Sequence, residues 1–134
     1  MTAIDTNVLV RVITRDDAHQ FAAAVKVMKS HHLWVSKTVL LETAWVLQHA
    51  YGLGREVVLD ALRRVAGYQN LAVEDEVSVT RALGWFEKGM DFADALHLAS
   101  SGDADEFVTF DRKLAAHAAD MDGAVPLRLL DSTG

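Results

Sequence analysis

Apolar residues in this chain follow two rhythms, short unbroken runs and longer stretches that recur every three to four positions. The short runs predict strands at 2–5, 33–36, 71–73 and 106–110, with a last one at 125–129. Helical spacing fills the intervals. One helix is expected at 8–13, and a longer one opens at Asp16 and Asp17, with Phe21, Val25 and Met28 on one face. The stretch 38–50 is apolar nearly all round and predicts a buried helix, punctuated by Gly52 and Gly54. Residues 55–66 carry Val58, Leu62 and Val65 as an inner stripe. Glu74, Asp75 and Glu76 lead a helix through Phe86, their charge near the positive end of its dipole. Asp91 or Phe92 opens a helix reaching Ser100, and Asp111 starts another. Strands alternating with helices imply an α/β fold, a mostly parallel sheet of four to five short strands flanked by helices. With no repeat or linker, residues 1–134 are expected to form a single domain.

Composition narrows the chemistry. Cysteine is absent, which excludes disulfides, thiolate zinc sites and cysteine nucleophiles. Nineteen acidic residues against 13 basic ones leave a net charge of -6, which argues against a general nucleic-acid coat. It does not exclude a nuclease, because a carboxylate metal site supplies several of those charges itself. There is no charged-then-apolar leader and no apolar run long enough to span a bilayer, so a cytoplasmic protein without a membrane partner is expected.

Four acids stand beside apolar sequence: Asp5 in AIDTN, Glu42 in VLLETAWVL, Asp94 in DFADALHLA and Asp111 in FVTFDRKLA. Carboxylates are costly to bury unless they are paired or hold a metal. Two of them about 4 Å apart repel by roughly 4 kcal/mol at an effective dielectric near 20. Oxygen donors of this kind suit a hard cation, Mg2+ or Mn2+, and one or two such ions can activate a water on a phosphodiester. The bland alternatives are specific. Asp5, Asp91 and Asp111 each precede a helix and are natural caps. Glu42 lies three or four residues from Thr38, Val39, Trp45 and Val46, so it should face the interior or a cleft; an arginine-held structural carboxylate is its alternative. His97 is either a ligand or base beside Asp94 or a packing residue. Thr6, Asn7 and Thr109 either orient a carboxylate, a water or a phosphate, or satisfy turn backbone. Lys37, Arg112 and Lys113 either meet an RNA backbone or are solvated surface charges.

The segments AIDTNVLVR, ETAWVL with the following YGLGRE, DFADALHLA and FVTFDRKL stand in the order seen in PIN-domain ribonucleases. More closely, the chain resembles the VapC toxins of VapBC toxin–antitoxin modules, over essentially its whole length. Each motif is short; their order and spacing together are specific. The resemblance implies a PIN-like parallel sheet wrapped by helices, with an acidic site at the carboxyl ends of its strands. It carries the catalytic, metal-binding acids onto Asp5, Glu42, Asp94 and Asp111, with Asp91 either a water-bridged ligand or a cap. The hydroxyls beside the first and fourth acids match Thr6 and Thr109. It further implies Mg2+- or Mn2+-dependent RNA hydrolysis, a homodimer, and inhibition by a VapB-like antitoxin. Three rivals stand beside this reading. One is a PIN nuclease for RNA processing or decay with no antitoxin. Another is a non-catalytic module holding a basic peptide in its acidic cleft. The third is a phosphotransfer protein, which would want a second acid where Asn7 stands.

Overall fold

The computed structural model describes residues 1–131, and the chain divides into two units, Met1–Glu76 and Val77–Gly134. In the first unit, β2 (Leu33–Val35) lies between β1 (Thr2–Ala3) and β3 (Leu71–Val73), and both pairings are parallel. Thr2 is in register with Leu33, and Val35 with Val73. Leu33 and Val35 are buried, as a middle strand covered on its faces requires. β1 is partly open: Ala3 is exposed, and burial begins at Ile4. The ladder nevertheless runs one residue past it, since the Ile4 N–H donates to the Trp34 carbonyl at 3.1 Å.

Four helices complete this unit. α1 (Thr6–Thr14) packs on α2 (Ala18–Ser30) and on α3 (Lys37–Trp45), and α3 and β3 in turn meet α4 (Arg55–Ala66). Asp17 caps α2 by accepting from the Gln20 N–H at 3.0 Å. The Ser36 hydroxyl accepts from the Val39 N–H at 3.1 Å and starts α3. α4 keeps the expected bounds and buries Val58, Leu62 and Val65. The expected 38–50 helix is two structures: after Trp45 the chain widens into a π-helical turn, Val46–Ala50, in which the Tyr51 N–H reaches back to the Val46 carbonyl at 3.2 Å. Gly52 follows with φ +64°, a left-handed value that glycine takes freely.

The second unit contains most of α5 (Glu76–Glu87), then α6 (Phe92–Ala99), β4 (Phe107–Thr109), α7 (Arg112–Ala118) and β5 (Leu127–Leu129). β4 and β5 pair in parallel, Phe107 with Leu127 and Thr109 with Leu129. Its core gathers Phe86, Phe92, Met90 and Leu98, with Phe86 and Phe92 edge to face at 5.6 Å between centroids. All five strands among the described residues thus pair in parallel, in ladders of three and two, as the α/β pattern of the sequence requires. The Glu74–Glu76 run leads α5 as expected, with Glu76 in its first turn, and has a second task besides. Glu74 accepts from the Lys37 N–H at 2.9 Å, and Asp75 pairs with the Lys37 ammonium at 3.0 Å, so these two acids serve the start of α3. No described helix is long and apolar enough to cross a membrane.

Candidate active site

In open α/β sheets, ligands gather beyond the carboxyl ends of the strands. In the first unit that edge delivers Asp5 directly after the β1 ladder and Ser36, with α3 behind it, after β2. Asp5 is an N-cap, its Oδ1 accepting from the Thr6 N–H at 2.7 Å. Glu42 lies on α3. Both line one cleft of about 330 Å³ with Thr6, Asn7, Arg11, Val46 and Tyr51.

Two sequence expectations need correcting here. The acids do not occupy core positions: Asp5, Glu42 and Asp111 are exposed, and Asp94 is half-buried. Glu42 does not point inward either. α3 buries Leu40, Thr43 and Ala44, and the π-turn buries Leu47, whereas Trp45 is 60 % exposed. A helix apolar on all sides gives no stripe to orient it, so the face carrying Glu42 is the open one. Its cleft-lining place agrees with the other half of that expectation. No arginine pairs with Glu42 among the described residues, which removes the structural ion pair.

Thr6 is buried, and its Oγ1 has no hydrogen-bond partner among the described residues. A buried hydroxyl without a partner is costly. Beside Asp5 and Glu42 it fits a site that takes a further oxygen-binding component. The donor set, two carboxylates with a hydroxyl and the Asn7 amide, has the hard-oxygen chemistry of Mg2+ or Mn2+. Among the described residues, no three acidic or imidazole side chains within either unit close up into a metal cage by themselves.

In the second unit the acids also begin as caps. Asp91 accepts from the Asp94 N–H at 3.2 Å, and Asp111 accepts from the Leu114 N–H at 3.0 Å. Thr109 Oγ1 accepts from the Asp111 N–H at 3.0 Å, fixing the turn between β4 and α7. Asp94 is electrostatically perturbed. Burial first, then the charges of Asp91 and Asp111, raise its carboxyl above the ordinary range, while His97 and His117 pull the other way. His97 is exposed, so it is not a core packing residue. Arg112 and Lys113 are exposed at the start of α7; Lys37 is engaged with Asp75.

Sequence reasoning overlooked Arg11 and Tyr51. Both stand in the quoted motifs, but their meeting across 40 residues is a tertiary fact. Arg11 Nη1 donates to Tyr51 Oη at 3.0 Å and to Asp16 Oδ1 at 2.9 Å, and the Tyr51 hydroxyl donates to Asp16 Oδ2 at 2.7 Å. A larger groove of about 460 Å³ runs along α1, α2 and α4, but its lining is mostly apolar and its one acid, Asp60, is paired with Arg64. Size alone therefore does not mark the chemistry.

Parallel strands between helices, with carboxylates at the strand ends and an oxygen-rich cleft, describe an α/β protein suited to metal-assisted phosphate chemistry. The PIN domain family model matches residues 2–120, and the chain belongs to that family, whose members are generally nucleases and typically metal-dependent. No curated protein and no solved structure matched the chain significantly.

Proposed function

We propose that this chain is a metal-dependent ribonuclease, the toxin of a VapBC-type toxin–antitoxin pair, and that its two units act as one PIN domain. The observation that carries the nuclease reading is the cleft shared by Asp5 and Glu42, with the unpartnered Thr6 hydroxyl beside them. The family match supports it by running across both units. The toxin assignment rests on the order of the four motifs along the sequence.

Asp5, Glu42, Asp94 and Asp111 would hold Mg2+ or Mn2+, with Asp91 as a further ligand through water or as a cap alone. When bound, such an ion lowers the pKa of a water and offsets charge on the phosphate. Asp5 and Glu42 present carboxylate oxygens along the cleft. Thr6 and Asn7 there would meet a metal-held water or a phosphate oxygen, and Thr109 fixes the turn that presents Asp111. Burial and the charges of Asp91 and Asp111 work against the charge on Asp94, so a cation there would relieve that repulsion. Lys37, Arg112 and Lys113 would meet the RNA backbone. The net reaction adds water across the bond from phosphorus to O3′, leaving a 5′-phosphate and a 3′-hydroxyl. A VapB-like antitoxin would inhibit a homodimeric enzyme by placing a basic side chain among the acids, where a charge-assisted pair competes with metal.

Controlled expression in a bacterial host tests the whole reading. Growth should stop, and new RNA ends ligatable through a 5′-phosphate should accumulate; Asp5→Asn should do neither. Cleavage without growth arrest would retain the nuclease and remove the toxin.

A further inference from the structure

We propose that Arg11 is the phosphate-contacting cation of the cleft, held by Asp16, Tyr51 and Gln20 so that its third nitrogen serves the RNA; the proposal rests on the nuclease reading. Arg11 lines the cleft with Asp5 and Glu42, yet it ion-pairs with neither. Its Nε donates to Gln20 Oε1, and its Nη1 donates to Asp16 and Tyr51. Nη2 has no partner among the described residues.

Asp16 is itself doubly secured, accepting from the Tyr51 hydroxyl and, at 2.9 Å, from the Thr14 hydroxyl. The same contacts hold its carboxyl below the usual range, the Tyr51 and Thr14 bonds first and the charge of Arg11 after them. Thus Asp16 stays ionised as the counter-charge of Arg11. The guanidinium is planar, so fixing two of its nitrogens fixes the direction of the third. A free arginine in a cleft with two carboxylates would fold onto them and compete with a metal. Tethered to Asp16, it leaves Asp5 and Glu42 open and keeps Nη2 for an anionic oxygen. A phosphodiester is the anion that a nuclease cleft takes, and one such contact adds affinity that falls with salt.

The test is fluorescence anisotropy of a short fluorescein-labelled single-stranded RNA over a series of NaCl concentrations. Asp5→Asn protein, which should bind without cutting, is compared with protein carrying both Asp5→Asn and Arg11→Gln. The second should bind about tenfold or more weakly. Its plot of log affinity against log salt should be shallower by about 0.7, the share of one single-strand phosphate. Arg11→Lys in the same background should restore the slope but not the full affinity. Tyr51→Phe, which keeps the charge and loosens its tether, should weaken binding with the slope unchanged. If Arg11→Gln fails to fold, the Arg11→Lys and Tyr51→Phe proteins decide the matter. Equal slopes and affinities across the folded variants, or no measurable binding by the Asp5→Asn parent, would overturn the assignment. Wild-type protein that cuts no RNA while the Arg11-dependent slope persists would sink the nuclease reading and leave Arg11 as an RNA contact.

Discussion

Asp5, Asp91 and Asp111 each use a carboxylate oxygen to cap the helix that follows, and an amide oxygen would cap as well. Asparagine therefore separates capping from chemistry at these positions. Asp111→Asn should leave stability nearly unchanged in denaturant unfolding, whereas Asp111→Ala should cost about 1 kcal/mol; equal losses in both would mean that the charge itself holds α7. Glu42 is exposed without an ion pair among the described residues, so Glu42→Gln should stay within about 0.5 kcal/mol of wild type while abolishing RNA cleavage. Unfolding of that variant would return Glu42 to a structural role. Asp94 gives a pH test. Its folded-state pKa is raised, so the native state binds the proton more tightly than the unfolded chain does. Its stability contribution is full below the unfolded value near 3.8 and is lost as pH rises through the raised one. In EDTA, Asp94→Asn should therefore melt above wild type at neutral pH, with the gap closing below that value. A gap of opposite sign, or one that persists in acid, would contradict the assigned cause. The residue types were legible in the sequence. Their exposure was not, because apolar neighbours in the chain need not be neighbours in the core.

Helix α4 and strand β3 show where the pattern of apolar positions suffices. The spacing of Val58, Leu62 and Val65 specifies one buried face, and the structure keeps the bounds 55–66 and 71–73. Leu62 is 1 % exposed, so Leu62→Ala should lose about 2–5 kcal/mol in urea unfolding. A loss under about 1 kcal/mol would mean that the site collapses around the shortened side chain. The 38–50 segment shows the opposite case. It is apolar on every side, so neither its buried face nor the change to a π-turn at Val46 can be read from spacing. That turn carries the chain into Tyr51, whose hydroxyl joins Asp16 and Arg11. The contact joins Tyr51 to Arg11 and Asp16 across 40 and 35 residues, and no local rule encodes it. The Glu74–Glu76 run does lead α5, with Glu76 in its first turn, but its second task was not legible for a related reason. Charge near a helix start was visible, but which helix Glu74 and Asp75 serve depends on the pairing of β2 with β3.

Across the whole molecule, a net charge of -6 is a liability for binding RNA and an asset for binding a divalent cation. The acids account for both. The PIN family and the parallel α/β class were legible because the order of four short motifs constrains more than any one of them does. The cleft around Asp5 and Glu42 was foreseeable from those motifs, and the network behind Arg11 was not. Metal dependence and the role of the acids can be tested together. Purified protein free of any antitoxin should be incubated with total cellular RNA in Mg2+, in Mn2+ and in EDTA, with Asp5→Asn alongside. Discrete cleavage that requires both the ion and Asp5 is the predicted result. Cleavage that continues in EDTA or in the folded Asp5→Asn protein would contradict the account.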